Sequence, residues 1–228
     1  MLEQLALAYG ELDRNPDLRV GLVHSHGDHF TAGLDLVDVG PSLQQTGSLP
    51  IPAGGMDPWG ISTRPVSKPV VIAIKGTCFT LGVELALASD VVIAQRNTVC
   101  AQLEVARGIL PFGGASTRMP AAAGWANAMR WLLSAESFSA EEAYRLNIVT
   151  EIVEDDPLDR AREVANTIAQ QAPLAVQETL ASARAAQTDP HGEHTQLQHR
   201  LGRLMVTKDV ARGMEAFMTK KPAVFEGN

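Results

Sequence analysis

The sequence predicts an α/β fold in which parallel strands are joined by helical crossovers and a helical region follows. Three observations predict it. Residues 18–24 and 69–74 are apolar, strand-like runs, and each passes through a turn into a helix-like segment; two such passages in succession require crossover connections. A further apolar run, Val91-Val92-Ile93-Ala94, follows the second passage directly. Near residue 155 the pattern changes from mixed strands and helices to helices alone, which divides the chain into 1–155 and 156–228. The 228 residues, 45% of them hydrophobic, suffice for one large domain with a core, or for a domain with an appendage.

In chain order, Leu2, Leu5, Ala6, Tyr9 and Leu12 recur at helical spacing over residues 1–15, and Asn15-Pro16-Asp17 is a turn. After the strand at 18–24, residues 30–36 turn into a short helix. Residues 40–65 carry Pro41, Gly47, Pro50, Pro52, Gly54, Gly55, Pro58, Gly60 and Pro65, which break regular structure. Met56, Trp59 and Ile61 make this stretch read as a lid on something apolar, with a disordered insertion as the other reading. The strand at 69–74 turns through Gly76 and Thr77 into a helix-like run containing Glu84. A short strand at 98–102, a Gly-rich turn at 110–114 and a helix-rich stretch at 115–133 follow. Ser139 with Glu142 three residues on signals a helix start. Residues 148–153 alternate as a strand; 157–171, 173–186 and 194–217 read as three amphipathic helices.

Composition excludes several classes. The formal charge is −7 and no basic run is dense enough to follow a phosphate backbone, so nucleic-acid binding is disfavoured. No stretch reaches the roughly 18 apolar residues of a membrane span. The start lacks a cationic segment followed by an apolar block, and the only cysteines, Cys78 and Cys100, lie on apolar segments. Both features point to a reduced, cytoplasmic protein.

Four constellations carry possible chemistry. Gly33-Leu34 and Leu81-Gly82 both place backbone N–H groups at a helix entry, where they are either ordinary turn groups or donors to a developing oxyanion. Glu84 and Glu104 sit in apolar surroundings, either as an acid/base pair or as partners of Arg107 or Arg118 in a salt bridge. His24, His26, Asp28 and His29 cluster, but alternating geometry and the lack of a second ligand set make them loop residues rather than a metal site. Phe217, Lys220 and Lys221 end the last helix, where the lysines cap its dipole or meet a phosphate.

Taken together, these segments resemble the crotonase (enoyl-CoA hydratase/isomerase) family. The resemblance rests on Phe30-Thr31-Ala32-Gly33-Leu34-Asp35-Leu36, on Lys68-Pro69-Val70-Val71-Ile72-Ala73-Ile74-Lys75-Gly76, and on Leu81-Gly82-Val83-Glu84-Leu85-Ala86-Leu87-Ala88-Ser89-Asp90. Gln102-Leu103-Glu104-Val105 with Gly108-Ile109-Leu110-Pro111, and Gly213-Met214-Glu215-Ala216-Phe217-Met218-Thr219-Lys220, extend it over nearly the whole chain. It implies a crotonase-like spiral of ββα turns carrying the acyl-CoA site in 1–155. Residues 156–228 would be the helical region that builds homotrimers or dimers of trimers.

The substrate it implies is an acyl-CoA thioester, with coenzyme A as part of the substrate and no separate cofactor or metal. Leu34 and Leu81 match the positions whose N–H groups hold the thioester oxygen, and Ala32 and Gly82 flank them. Glu104 would exchange the proton at Cα while Glu84 activates the water that adds at Cβ. Phe217 and Lys220 match contacts to the CoA of a neighbouring subunit. Isomerases of this fold often keep one of the two glutamates, so the pair favours an enoyl-CoA hydratase. A Δ3–Δ2 enoyl-CoA isomerase, other CoA-thioester chemistry, a catalytically silent acyl-CoA-binding homologue and a purely structural trimer are the alternatives.

Three departures from the family pattern set further expectations. Relatives usually begin with one or two strands and an Asn-Ala-Leu-type segment that helps bind CoA, whereas Met1 stands already within the following helix, so those strands are expected to be missing. Thr80-Leu81-Gly82 replaces consecutive glycines, so a positive φ would fall on Leu81 as strain. The 40–65 stretch leaves the acyl preference open.

Overall fold

Val70–Ile74 (β2) is buried at every position, as a central parallel strand covered on both faces must be. Its side chains alternate between two apolar layers. Val70, Ile72 and Ile74 enter the main core with Tyr9, Val83, Leu85 and Met119. Val71 and Ala73 face the other way, onto Ile93 and onto Ala161 and Ala165 of the helix Pro157–Ala169 (α7). The computed structural model describes residues 1–228.

Two sheets run through the chain. Gly21–Val23 (β1), β2, Val91–Gln95 (β4) and Glu151–Val153 (β7) form a parallel sheet in the order β1-β2-β4-β7. Thr77–Phe79 (β3), Val99–Ala101 (β5) and Ser137–Ser139 (β6) form the second, with β3 parallel and β6 antiparallel to β5. The two central repeats each send a five-residue strand, β2 or β4, into the first sheet and a three-residue strand, β3 or β5, into the second. Because β2 pairs with β4 and β3 with β5, successive repeats stack as a ββα spiral. Leu81–Ala88 (α3) closes one repeat; in the next a 3₁₀ turn, Glu104–Arg107, takes the helix's place.

The remaining helices frame this spiral. Leu2–Arg14 (α1) buries Ala6, Tyr9 and Leu12. Ala115–Ala123 (α4) packs on α3, and Trp125–Leu132 (α5) packs on α4. Ala140–Arg145 (α6) begins at the expected cap, with Ser139 Oγ accepting from Glu142 N–H at 3.2 Å. Pro173–Ala186 (α8) packs against Pro190–Met205 (α9), and Lys208–Thr219 (α10) follows. No helix is long and apolar enough to cross a membrane.

Several expectations are corrected. Leu36–Thr46 (α2) is helical despite Pro41. Asp35 caps it through Val37 N–H (2.9 Å), and Gly47 ends it with N–H to the Leu43 carbonyl (2.8 Å). Pro41 thus removes one bond, to the carbonyl of Val37 at the exposed start of the helix. Residues 77–79 are a strand, not a turn, because β3 pairs with β5 and with residues 30–31, partners no local signal announces. The expected helix at 194–217 is two helices, the second starting where Thr207 Oγ1 accepts from Val210 N–H. The stretch at 115–133 breaks at Gly124, and β1 and β7 are shorter than the apolar runs containing them.

Candidate active site

Residues 30–34 and 77–81 run side by side. Thr31 N–H donates to the Thr77 carbonyl (2.9 Å), and Phe79 N–H donates back to the Thr31 carbonyl (3.0 Å). One step further the two turns touch: a Cβ at Gly33, whose φ is 104°, would lie 2.3 Å from Thr80 Oγ1. Only glycine allows both that conformation and that approach. Leu34 N–H has no backbone partner, and Leu81 N–H, first in α3, has no intrahelical carbonyl to reach. Leu34 and Leu81 line one cavity of about 170 Å³ with Ala32, Thr80, Glu104 and Phe112.

The strain expected at Leu81 falls on Thr80 instead. Thr80 has φ 52° and ψ −116°, while Leu81 is helical. A β-branched residue in that region costs about 1–3 kcal/mol and persists only where its surroundings fix it. Here its N–H donates to the Ala101 carbonyl (2.8 Å), and its carbonyl accepts from Glu84 N–H (3.1 Å). The strained residue aims the Leu81 amide out of the helix start.

Glu104 opens the 3₁₀ turn and is 4% exposed, with its surface on the cavity. Burial pushes its carboxyl up to about 7; its own N–H pulls the other way and the charge of Glu84 adds to the rise. Gln102, itself buried, turns its amide toward Glu104; with the nitrogen assigned to that side, as the surrounding donors and acceptors require, it donates to the two Glu104 oxygens at 2.8 and 3.0 Å. Turned over, the same amide would accept from the protonated acid, so Gln102 serves either state of Glu104.

Glu84 lies in the wall rather than on the cavity. It is fully buried in the first turn of α3. Oε1 accepts from Ala115 N–H at the start of α4 (2.9 Å), while Oε2 has no partner. Burial raises its pKa, against the pull of the Ala115, Gly113 and Gly114 N–H groups and the Arg118 charge. A Cβ at Gly113 would stand 2.6 Å from Leu81 Cδ2 and 2.7 Å from Glu84 Oε2, so glycine is what lets the acid approach here. Neither carboxylate is ion-paired; Arg118 instead donates to the carbonyls of Gly113 and Trp59.

Of the residues singled out in the sequence, Ala32, Leu34, Leu81 and Glu104 therefore share one cavity. Gly82 packs beneath it against Thr31 and Cys78, and Glu84 stands directly behind Leu81. Phe217 on α10 is 87% exposed and Lys220 caps that helix in the left-handed region; neither lines the cavity. His29 Nδ1 accepts from Thr77 N–H, a structural bond in the turn, and His24 packs edge-on against His26.

Sequence reasoning missed Gln102 as the partner of Glu104, and it missed how residues 47–65 are held. Asp57 accepts the N–H groups of Trp59, Ile61 and Ser62, and Trp59 Nε1–H donates to the Leu81 carbonyl (3.0 Å). The stretch packs on apolar neighbours as expected, but as a latched wall. The aspartate two residues before Trp59 was the available signal. Leu49, Ile51, Trp59, Ile61, Leu81 and Phe112 enclose a second cavity of about 60 Å³ behind the first.

Comparison with known proteins adds four findings. The family model described as enoyl-CoA hydratase/isomerase matches residues 1–228. A crystal structure from Mycobacterium abscessus, described as a probable enoyl-CoA hydratase/isomerase, superposes with a TM-score of 0.97 at 47% identity, covering 100% of this chain and 88% of that one. The (E)-benzylidenesuccinyl-CoA hydratase of Thauera aromatica is 33% identical over 93% of this chain and 83% of its own. The 1,2-epoxyphenylacetyl-CoA isomerase of Escherichia coli is 29% identical over 100% and 88%.

Proposed function

Because the chain belongs to the enoyl-CoA hydratase/isomerase (crotonase) family, we propose that it hydrates a 2-enoyl-CoA thioester. The thioester oxygen sits between Leu34 N–H and Leu81 N–H, where charge develops as an enolate forms. In this reading water adds its oxygen to Cβ and gives one proton to the Glu84 carboxylate, which requires its partnerless Oε2 to reach the cavity from the wall behind Leu81 and Gly113. Glu104, neutral up to about pH 7, delivers its proton to Cα. One proton enters Glu84 and one leaves Glu104, so solvent exchange restores the pair. Two carboxyls in unlike surroundings divide the roles of base and acid. Coenzyme A enters with the substrate, and no step calls on another cofactor.

The observation that carries this reading is a neutral-range carboxyl, Glu104, on the same cavity as the two turn amides. The position of Glu84 favours a second reading. With that carboxylate behind Leu81 and Gly113, Glu104 alone faces the cavity, an arrangement suited to moving a proton between Cα and Cγ in a 3-enoyl-CoA. In either case Phe217 and Lys220, remote from this chain's cavity, serve a neighbouring copy in a trimer or a dimer of trimers. The deciding experiment supplies the protein with a 2-enoyl-CoA and, separately, a 3-enoyl-CoA. A 3-hydroxyacyl-CoA product from the first supports hydration, and conjugation of the second without hydration supports isomerisation. Turnover of neither overturns both.

A further inference from the structure

Two side chains outside the Glu104 cavity tie the Leu81 turn to the segment that holds Glu84. Arg118, half-buried on α4, donates through Nη1 to the Gly113 carbonyl (3.0 Å) and through Nη2 to the Trp59 carbonyl (2.5 Å). Trp59, 6% exposed, donates through Nε1 to the Leu81 carbonyl (3.0 Å). Asp57 holds the loop that presents the indole by accepting three of its N–H groups. The segment Arg118 fixes at Gly113 is the one whose Ala115 N–H holds Glu84 Oε1. A closed circuit therefore runs from α3 through the indole to the loop, through the guanidinium to the Gly-rich turn, and through Ala115 back to Glu84 on α3.

We propose that Arg118 and Trp59 are positioning residues for the reaction, holding the Leu81 turn and the Glu84 carboxylate in register with each other; this rests on the acid/base and oxyanion reading above. Neither side chain lines the Glu104 cavity. Arg118 spends both guanidinium arms on carbonyls, and a guanidinium fork is suited to fixing two oxygens at set directions. Arg118 forms no ion pair, so its charge acts on Glu84 without direct contact. The other charged groups around this circuit are Glu104, from the 3₁₀ turn, and Asp57 and Arg184, which face Arg118. Displacing a catalytic donor or base by even about 1 Å costs on the order of 10²-fold in rate, so a brace of this kind acts on kcat more than on substrate affinity.

The test measures kcat, KM and their pH profiles for wild type, Trp59→Phe, Arg118→Met and Arg118→Lys, with melting curves for each. Trp59→Phe keeps an aromatic ring in the core but loses the five-membered ring with its N–H; we expect kcat to fall about tenfold with KM within twofold. Arg118→Met should lower kcat by about 10²-fold and move the acid limb of the profile to higher pH, because Glu84 loses the charge that favours its ionised form. Arg118→Lys should return that limb toward wild type without restoring kcat, since it keeps the charge but not the fork. A merely structural role would lower melting temperature and leave the limb in place. Unchanged kcat in Trp59→Phe, or an unmoved limb in a folded Arg118→Met, overturns the proposal; if Arg118→Met does not fold, Trp59→Phe decides alone. A wild type without activity refutes the functional reading instead.

Discussion

Glu104 shows what one buried carboxyl does to both stability and rate. Unfolded, it ionises near 4.5; folded, near 7. Below 4.5 both states hold the proton. As pH rises from there toward 7 only the folded chain keeps it, so Glu104 stabilises the acid side and that contribution is lost through neutrality. Glu104→Gln should therefore be more stable than wild type at pH 8, by about 1–3 kcal/mol in denaturant titrations, while losing turnover. In the hydration reading Glu104 must be protonated, so kcat/KM should fall as pH rises through about 7. A profile flat from pH 6 to 8 would contradict that role. The burial of Glu84 and Glu104 was legible in the sequence from carboxylates within apolar runs. Their unequal access was not, because it depends on Gly113 and Ala115, brought to Glu84 from about thirty positions along the chain.

At the scale of elements, what the sequence conveyed was the periodic part. Uniform burial of β2, the polar exception in α3 and the Ser139 cap were all written in local pattern. What it withheld was pairing: β3 exists because Thr31 and β5 flank it, and the positive φ sits at Thr80 because that residue is held from both sides. Proline counting misjudged 36–46, where a capped helix tolerates Pro41 near its exposed end. Leu81 at the start of α3 and Phe112 in the Gly-rich turn line both cavities and form the partition between them. Phe112→Ala should join the cavities and move the preference toward longer acyl chains, raising kcat/KM for an eight-carbon over a four-carbon enoyl-CoA by roughly tenfold. Identical chain-length profiles in wild type and variant would show that Phe112 sets no limit.

For the whole molecule, the spiral brings Leu34, Leu81 and Glu104 to one cavity with Glu84 in the wall behind it, and the last helices carry apolar surface that this chain does not cover. Leu201, Met205, Val206, Phe217 and Met218, on and between α9 and α10, are each exposed. Several large apolar side chains exposed on two consecutive helices fit burial against further copies. Light scattering should give a mass of three or six chains, and Phe217→Glu should weaken acyl-CoA binding if that residue serves a neighbour's site; a monomer with full affinity would exclude it. Helical amphipathicity made this region readable in sequence, whereas its partner surfaces are a property of the assembly and leave no local mark. The central claim is that Glu104 moves a proton at the carbon next to a thioester polarised by the Leu34 and Leu81 amides. Exchange of that Cα proton in deuterated water, followed by NMR on a bound acyl-CoA, tests it without requiring full turnover. Wild type should exchange at one Cα position and Glu104→Gln should exchange at least about 10²-fold more slowly while still binding the ligand. Equal exchange in the two proteins would contradict the account.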